Sequence, residues 1–368
     1  MKVALVHDWL NGMRGGEKCL EVLCEIFPDA IIYTLHEEKD KLSDLLKSKT
    51  IITSFIQKMP FRKKKYRYYL PLFPKAIETF DLSGFDLVVS ISHCVAKGVK
   101  TSCSTCHICY CLTPMRYAWG FFYDYFGRRF GRISQFLIQF FMRRLKRWDI
   151  MSTKRVDYFL SISENITQKI SSSYNRDSMV VYPPVDVDFF FPDEKVKRED
   201  FFLIVSAFAP YKKLLFAVET FNSIGLPLVI IGSGEEKETL EAVAMQNIKF
   251  HGWCSNEMLR DYYRRCKALV FPGKEDFGIV PLEAQACGAP VLAYKAGGAL
   301  ETVIDGKTGL FFKEHTFESL KSVVYDSNCK EFNAIDCRNN AENFSRAVFK
   351  SKIEKAIIER YSLFREKK

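Results

Sequence analysis

Two glutamates stand eight positions apart in Glu275-Asp-Phe-Gly-Ile-Val-Pro-Leu-Glu283, with a glycine between them. The apolar run Ala268-Leu-Val-Phe271, closed by Pro272-Gly273, reads as a strand leading into them. Pro281 suits the first turn of a following helix, where its missing N–H is not needed. The pattern therefore puts Glu275 on a strand-to-helix loop and Glu283 on the helix. Backbone N–H groups near Phe277, Gly278, Ile279 and Val280 are then free, and such a helix N-terminus binds phosphate. Carboxylates beside it accept hydrogen bonds from sugar hydroxyls. An anion hole flanked by hydroxyl acceptors is the chemistry of a nucleotide sugar.

Other groups could join it. Lys212 and Lys213 close the segment Ser206-Ala-Phe-Ala-Pro-Tyr-Lys-Lys, either as cations for a diphosphate or as a solvated surface pair. Gly232-Ser-Gly234 ends the strand Leu226–Ile231, where glycines admit a ligand or serve packing alone. Met13-Arg-Gly15-Gly16-Glu17 follows the first strand and opens a helix, and paired glycines there let a ligand approach the backbone. His93, at the end of the strand Asp86–Ser92, is a polar group for an acceptor or sugar, or a histidine bonded locally to backbone.

These motifs resemble retaining glycosyltransferases of family 4, which have the GT-B fold. The glutamate pair continues as Glu283-Ala-Gln-Ala-Cys-Gly288-Ala-Pro290 and then Gly297-Gly298-x-x-Glu301, the succession that the family shows at that place. Tyr110-Cys-Leu112-Thr-Pro114-Met-Arg116-Tyr-Ala-Trp119 is similar to a bacterial mannosyltransferase branch for lipopolysaccharide and exopolysaccharide synthesis. The resemblance implies an α/β protein of two Rossmann-like, doubly wound domains facing a central cleft, with a last helix returning to the first. It implies transfer of a hexose, mannose first, from a nucleotide diphosphate sugar such as GDP-mannose to a lipid-linked or growing bacterial surface glycan. Glu275 with the backbone of Phe277, Gly278 and Ile279 would hold the sugar, and Glu283 the ribose. Lys212 and Lys213, helped by Gly15 and Gly16, would meet the diphosphate, with Gly232 and Gly234 also on the donor side. His93 and Arg116 would lie on the acceptor or sugar side.

No metal and no cofactor is expected, because lysine and a helix dipole meet the leaving group's charge. Asp186-Val-Asp188 has a metal motif's spacing but resembles the family's Pro-x-x-Asp turn. Two departures matter: Leu112 stands where the branch has a histidine, and Ala207 where the family has an arginine. They support an alternative, a degenerate relative that binds nucleotide sugar or glycolipid without turnover.

At 368 residues the chain fits two domains, read as 1–182 and 183–343, with 344–368 as the returning helix. The break is marked by Tyr182-Pro-Pro-Val-Asp186, and apolar strand-like runs alternate with helical patterns on both sides of it. With 48% hydrophobic and 27% charged residues, no signal-peptide pattern and no apolar run near ~18 residues, the expectation is a cytoplasmic protein. Twelve cysteines are then reduced thiols. Cys103-Ser-Thr-Cys106-His107-Ile-Cys109-Tyr-Cys111 has haem or zinc spacing, but a buried strand is the working assumption. The net charge of +10 is regional: residues 58–75 hold seven cations and no acid, and 121–155 hold nine cations, Arg128, Arg129 and Arg132 among them, against Asp124 and Asp149. Ile133, Phe136, Leu137, Phe140, Phe141, Leu145 and Trp148 fall at helical spacing within the second stretch. The helical stretch suits an anionic lipid surface or a core helix with a solvated face, and 58–75 suits phosphate headgroups or a lipid diphosphate acceptor, or is a solvated charge run. No nucleic-acid motif accompanies them.

Overall fold

The computed structural model describes residues 1–121 and 132–368. Asp124, Arg128 and Arg129 lie outside the described residues, as do the side chains of Arg132, Ile133, Phe136 and Leu137. The chain forms two compact units, Met1–Pro184 with Ala347–Lys368, and Val185–Arg346.

Valine, isoleucine and leucine runs flanked by turn residues dictate the strands, and helices between them force parallel pairing. In the N-terminal unit the strands are β1 (Val3–His7), β2 (Ile31–Thr34), β3 (Ile51–Thr53), β4 (Leu87–Ser92), β5 (Cys106–Cys111), β6 (Tyr158–Ser161) and β7 (Ser178–Val180). They make one sheet in the order β3-β2-β1-β4-β5-β6-β7. β1 pairs with β2 on one side (Ala4 opposite Ile31) and with β4 on the other (Val3 opposite Leu87). The C-terminal unit repeats the pattern with β8 (Phe202–Val205), β9 (Leu228–Ile231), β10 (Ile248–His251), β11 (Ala268–Phe271), β12 (Val291–Tyr294) and β13 (Gly309–Phe312). Their order is β10-β9-β8-β11-β12-β13. Both sheets are doubly wound, and each reverses direction beside its first strand, where ligands bind in such folds.

β2, β3 and β13 carry the shorter sequence signals. Each is only three or four residues long, and β3 is not fully buried, so the apolar signal is short. The expected last helix is Arg346–Glu366. It packs within the N-terminal unit, where Phe349 meets the Tyr110 ring at 5.8 Å and Lys350 pairs with Glu25 at 3.1 Å.

A buried ion pair fixes the long helix Arg132–Ser152. Lys97 Nζ pairs with Asp149, which also accepts from Trp119 Nε1 and Tyr174 Oη, each at 2.8 Å. Two buried charges satisfied this way specify one docking of the helix. Phe141, Leu145 and Trp148 face the core, whereas Phe140 is exposed. Over its described part the stripe packs on the core through Phe141, Leu145 and Trp148 but not through Phe140.

The cysteine-rich segment is β5, with Cys106, Cys109 and Cys111 buried. His107 uses both ring nitrogens, Nε2 with Ser90 Oγ at 2.8 Å and Nδ1 with the Arg155 carbonyl at 2.8 Å. Burial drives its pKa down to about 4.

Candidate functional site

In the C-terminal unit the glutamate segment takes the predicted form. The loop after β11 carries Glu275, and the helix Ile279–Ala286 carries Glu283. Gly278 precedes that helix with φ 96°, a left-handed conformation that favours glycine. It turns the chain so that the first N–H groups of the helix end the loop.

Close backbone packing holds this loop in place. Gly298 N–H donates to the Glu275 carbonyl at 2.9 Å. A Cβ on Gly298 would lie 2.1 Å from the Phe277 carbonyl oxygen, so only glycine admits the contact. Phe277 is buried and meets the Phe344 ring at 5.8 Å. Gly273 brings the same loop against the turn Pro210–Lys212, where its Cβ would sit 3.1 Å from Lys212 Cα. The result is a Lys212–Glu275 ion pair between two loops, with both side chains partly exposed. Lysine donors and a carboxylate acceptor thus stand together beside a helix N-terminus.

Glu283 accepts a hydrogen bond from Tyr263 Oη at 3.1 Å. Tyr263 is fully buried on the helix Asn256–Arg265, and burial, with Glu283 beside it, pushes its hydroxyl well above the usual range. It therefore stays a donor that orients the carboxylate. Lys213 is exposed with φ 58°, uncommon for a residue with a side chain, and its charge bears on Glu236. Burial and Glu235 raise the Glu236 pKa, and Lys213 opposes them. Ala207 is exposed and supplies no cation at its position. Gly232 and Gly234 lie against the backbone of the preceding loop: added Cβ atoms would meet the Ser206 carbonyl at 1.9 Å and the Phe208 carbonyl at 2.3 Å. Packing alone demands glycine at both.

In the N-terminal unit Gly15 opens the helix Gly15–Ile26, and the Arg14 N–H donates to the Glu17 carboxylate at 3.1 Å. A Cβ on Gly16 would meet Leu112 Cδ1 at 2.9 Å and His7 Nε2 at 3.1 Å. Asp8, fully buried at the end of β1, receives four backbone N–H groups: His93 and Cys94 at Oδ2 (2.7 and 2.9 Å), Val95 and Ala96 at Oδ1 (2.6 and 2.7 Å). His93 Nδ1 also lies 3.0 Å from Asp8 Oδ2. Burial lowers the His93 pKa against the opposing pull of Asp8, while the Arg116 charge lowers it slightly.

The predicted residues thus fall into two groups. Lys212, Lys213, Phe277, Gly278, Ile279, Glu275 and Glu283, with Gly232 and Gly234 behind, belong to the C-terminal unit; Gly15, Gly16, His93 and Arg116 belong to the other. Tyr263, Asp8 and His7 were not singled out from sequence. Asp8 did carry a signal, a carboxylate directly after a fully apolar strand. A cavity of about 610 Å³ opens elsewhere, beside Val3, Phe27 and Phe85, away from both groups.

Residues 186–327 match the family model of Glycosyl transferases group 1. An uncharacterized glycosyltransferase of Methanocaldococcus jannaschii is 27% identical over 180 residues, 48% of this chain and 50% of the relative. A GDP-mannose-dependent alpha-(1-6)-phosphatidylinositol monomannoside mannosyltransferase of Mycolicibacterium smegmatis is 27% identical over 200 residues, 46% of this chain and 52% of the relative. The chain spans about half the length of these curated relatives. Among solved structures, Anabaena HepE in complex with UDP and glucose superposes with TM-score 0.69 and 16% identity, over 97% of this chain and 99% of that one. At such identity the likeness shows the fold. The protein has the GT-B fold of two Rossmann-like domains and a C-terminal helix. Its C-terminal unit is related to the group 1 glycosyltransferases.

Proposed function

We propose that this protein is a retaining glycosyltransferase that moves a hexose, mannose first, from a nucleotide diphosphate sugar to a lipid-linked or growing bacterial surface glycan. The Lys212–Glu275 pair beside the N-terminus of the helix Ile279–Ala286 carries the reading. Without ligand the two charges satisfy each other. A nucleotide sugar separates them: Lys212 turns to the diphosphate, and Glu275, with the backbone of Phe277 to Ile279, accepts the sugar hydroxyls. Glu283, oriented by Tyr263, accepts the ribose hydroxyls. As the sugar leaves, negative charge grows on the diphosphate, where a lysine and helix N–H groups stabilise it most. Lys213 supplies a second cation in place of the one that Ala207 lacks. In this reading no metal takes part, and turnover survives a chelator.

Mannose from GDP-mannose is favoured by the segment Thr113–Trp119 and by the mycobacterial relative's name, whereas HepE was solved with UDP and glucose. A lipid-linked acceptor is supported by exposed Phe61 and Tyr68 beside Lys63, Lys64, Lys65 and Arg67. Such a surface suits anionic headgroups at roughly 1 kcal/mol per cation. Among the described residues no helix is long and apolar enough to cross a membrane. The second reading, binding without turnover, draws on Leu112 packed against Gly16 and on exposed Ala207. Incubation with radiolabelled GDP-mannose and lipid extract separates the two. Labelled lipid product supports transfer, and tight donor binding without product or hydrolysis supports the degenerate binder.

A further inference from the structure

Two loops must keep their register for Lys212 to meet Glu275, and one side chain outside both touches the elements that carry them. His315 lies in the connection between β13 and the helix Phe317–Cys329, 43 positions from Pro272. Its Nε2 is 2.8 Å from the Pro272 carbonyl, which can only accept, so Nε2 carries a proton and donates. Pro272 is buried and opens the loop after β11. The next residue, Gly273, is the one pressed against the Lys212 backbone, and Glu275 follows in the same loop.

The imidazole is itself held. It stacks on Tyr294 at the end of β12, with centroids 3.9 Å apart, and meets Phe216 edge-on at 5.4 Å. Phe216 is on the first turn of the helix Leu214–Ile224, which begins directly after Lys213. The connection that carries His315 is pinned too, because Ser319 Oγ accepts from the Lys313 and Glu314 N–H groups at 3.2 and 3.3 Å. One ring therefore bonds the loop that carries Glu275 and packs on the helix that follows Lys212. At the far end of the loop, the Gly298 N–H holds the Glu275 carbonyl. The loop is thus suspended between two hydrogen bonds, one of them from a side chain.

We propose that His315 is a positioning residue for the donor site. Through Pro272 and Phe216 it sets the register of the Glu275 loop against Lys212, and it touches no substrate itself. The inference rests on reading Lys212 and Glu275 as that site. A misplaced cation or carboxylate costs rate more than ground-state binding, because both act most strongly on the charge that develops in the transition state. Glu283 and the helix N–H groups, beyond Gly278, still hold the nucleotide.

The test compares His315→Phe, which can stack but not donate, with His315→Gln, which can donate but not stack. Hydrogen exchange is measured on the ligand-free full chain, and kinetics with whichever of GDP-mannose, UDP-glucose and UDP-N-acetylglucosamine the wild-type chain turns over. His315→Phe should speed exchange of the Gly298 amide about tenfold while the amides of β9 keep their rates. It should lower kcat by about 10- to 100-fold and leave nucleotide affinity nearly unchanged. His315→Gln should restore most of both losses. A Gly298 amide at the wild-type rate in His315→Phe overturns the proposal, as does an unchanged kcat. So does faster exchange of all amides alike, which makes His315 a packing residue only, or a His315→Gln variant as slow as His315→Phe. A wild-type chain inert towards all of the donors overturns the glycosyltransferase reading alone, and the Gly298 amide then still decides whether His315 places the loop.

Discussion

The two units wind the same strand order, yet they put opposite chemistry at the same topological point. In the C-terminal unit the loops after β8 and β11 carry Lys212 and Glu275, a partly exposed ion pair. In the N-terminal unit the loops after β1 and β4 carry Asp8 and His93, a carboxylate sealed by backbone N–H groups beside a neutral imidazole. The fold supplies the crevice in both cases, and the residues decide what enters it. A separable charge pair beside a helix N-terminus suits a diphosphate. A carboxylate taken up by four backbone N–H groups instead fixes the loop that follows β4.

The comparison breaks most sharply in stability. Asp8→Ala leaves four N–H groups without their acceptor, three of them on buried residues. Each such loss costs about 1–3 kcal/mol, so the N-terminal unit should unfold, as seen by tryptophan fluorescence. Glu275→Ala should leave the melting temperature nearly unchanged while abolishing transfer. Lys212→Ala should lower kcat about 100- to 1,000-fold, the loss seen when one preorganised donor to a developing anion is removed; retained turnover in either variant would refute the site.

Acid should separate the units next. His36 and His107, both in the N-terminal unit, are buried, and burial lowers each pKa from 6.5 to about 4. A histidine with a depressed folded pKa contributes stability above its unfolded pKa and loses it as pH falls towards the folded one. The N-terminal unit should therefore weaken between pH 6.5 and about 4, by on the order of 3 kcal/mol per histidine. Three of the four tryptophans, Trp9, Trp119 and Trp148, report on it. Substituting His36 with Asn should flatten the pH dependence of the denaturation midpoint. A smaller effect is expected at Tyr263→Phe, which removes one hydrogen bond to Glu283. Nucleotide affinity should fall about fivefold, near 1 kcal/mol. The smallest is no effect at all: a chelator should leave turnover unchanged.

Much of the C-terminal unit was legible because its signals are local. The apolar strand, Pro272-Gly273, Gly278 and Pro281 lie within the fourteen residues from Ala268 to Pro281 and specify the loop and helix there. Gly297 and Gly298 were visible as a motif, but their reason, the backbone of Glu275 and Phe277 pressed against them, needed the fold. The N-terminal site was less legible. Asp8 acts on residues 85 to 88 positions away, and no spacing rule reaches that far. Arg62 was read as part of a cationic surface, yet its guanidinium donates to the Gln57 and Glu37 carbonyls. A charge run does not reveal which member turns inward. Tyr263 was hidden for the opposite reason, since a helix tyrosine looks like packing until its hydroxyl finds Glu283.

The most direct measurement is a thermal-shift panel of GDP-mannose, UDP-glucose, UDP-N-acetylglucosamine, GDP and UDP on the wild-type chain and on Lys212→Ala. A ligand at 100 times its Kd stabilises by about 2.7 kcal/mol, well within reach. The account predicts a shift with GDP-mannose and GDP that Lys212→Ala abolishes. A wild-type chain that responds to none of the five would contradict it.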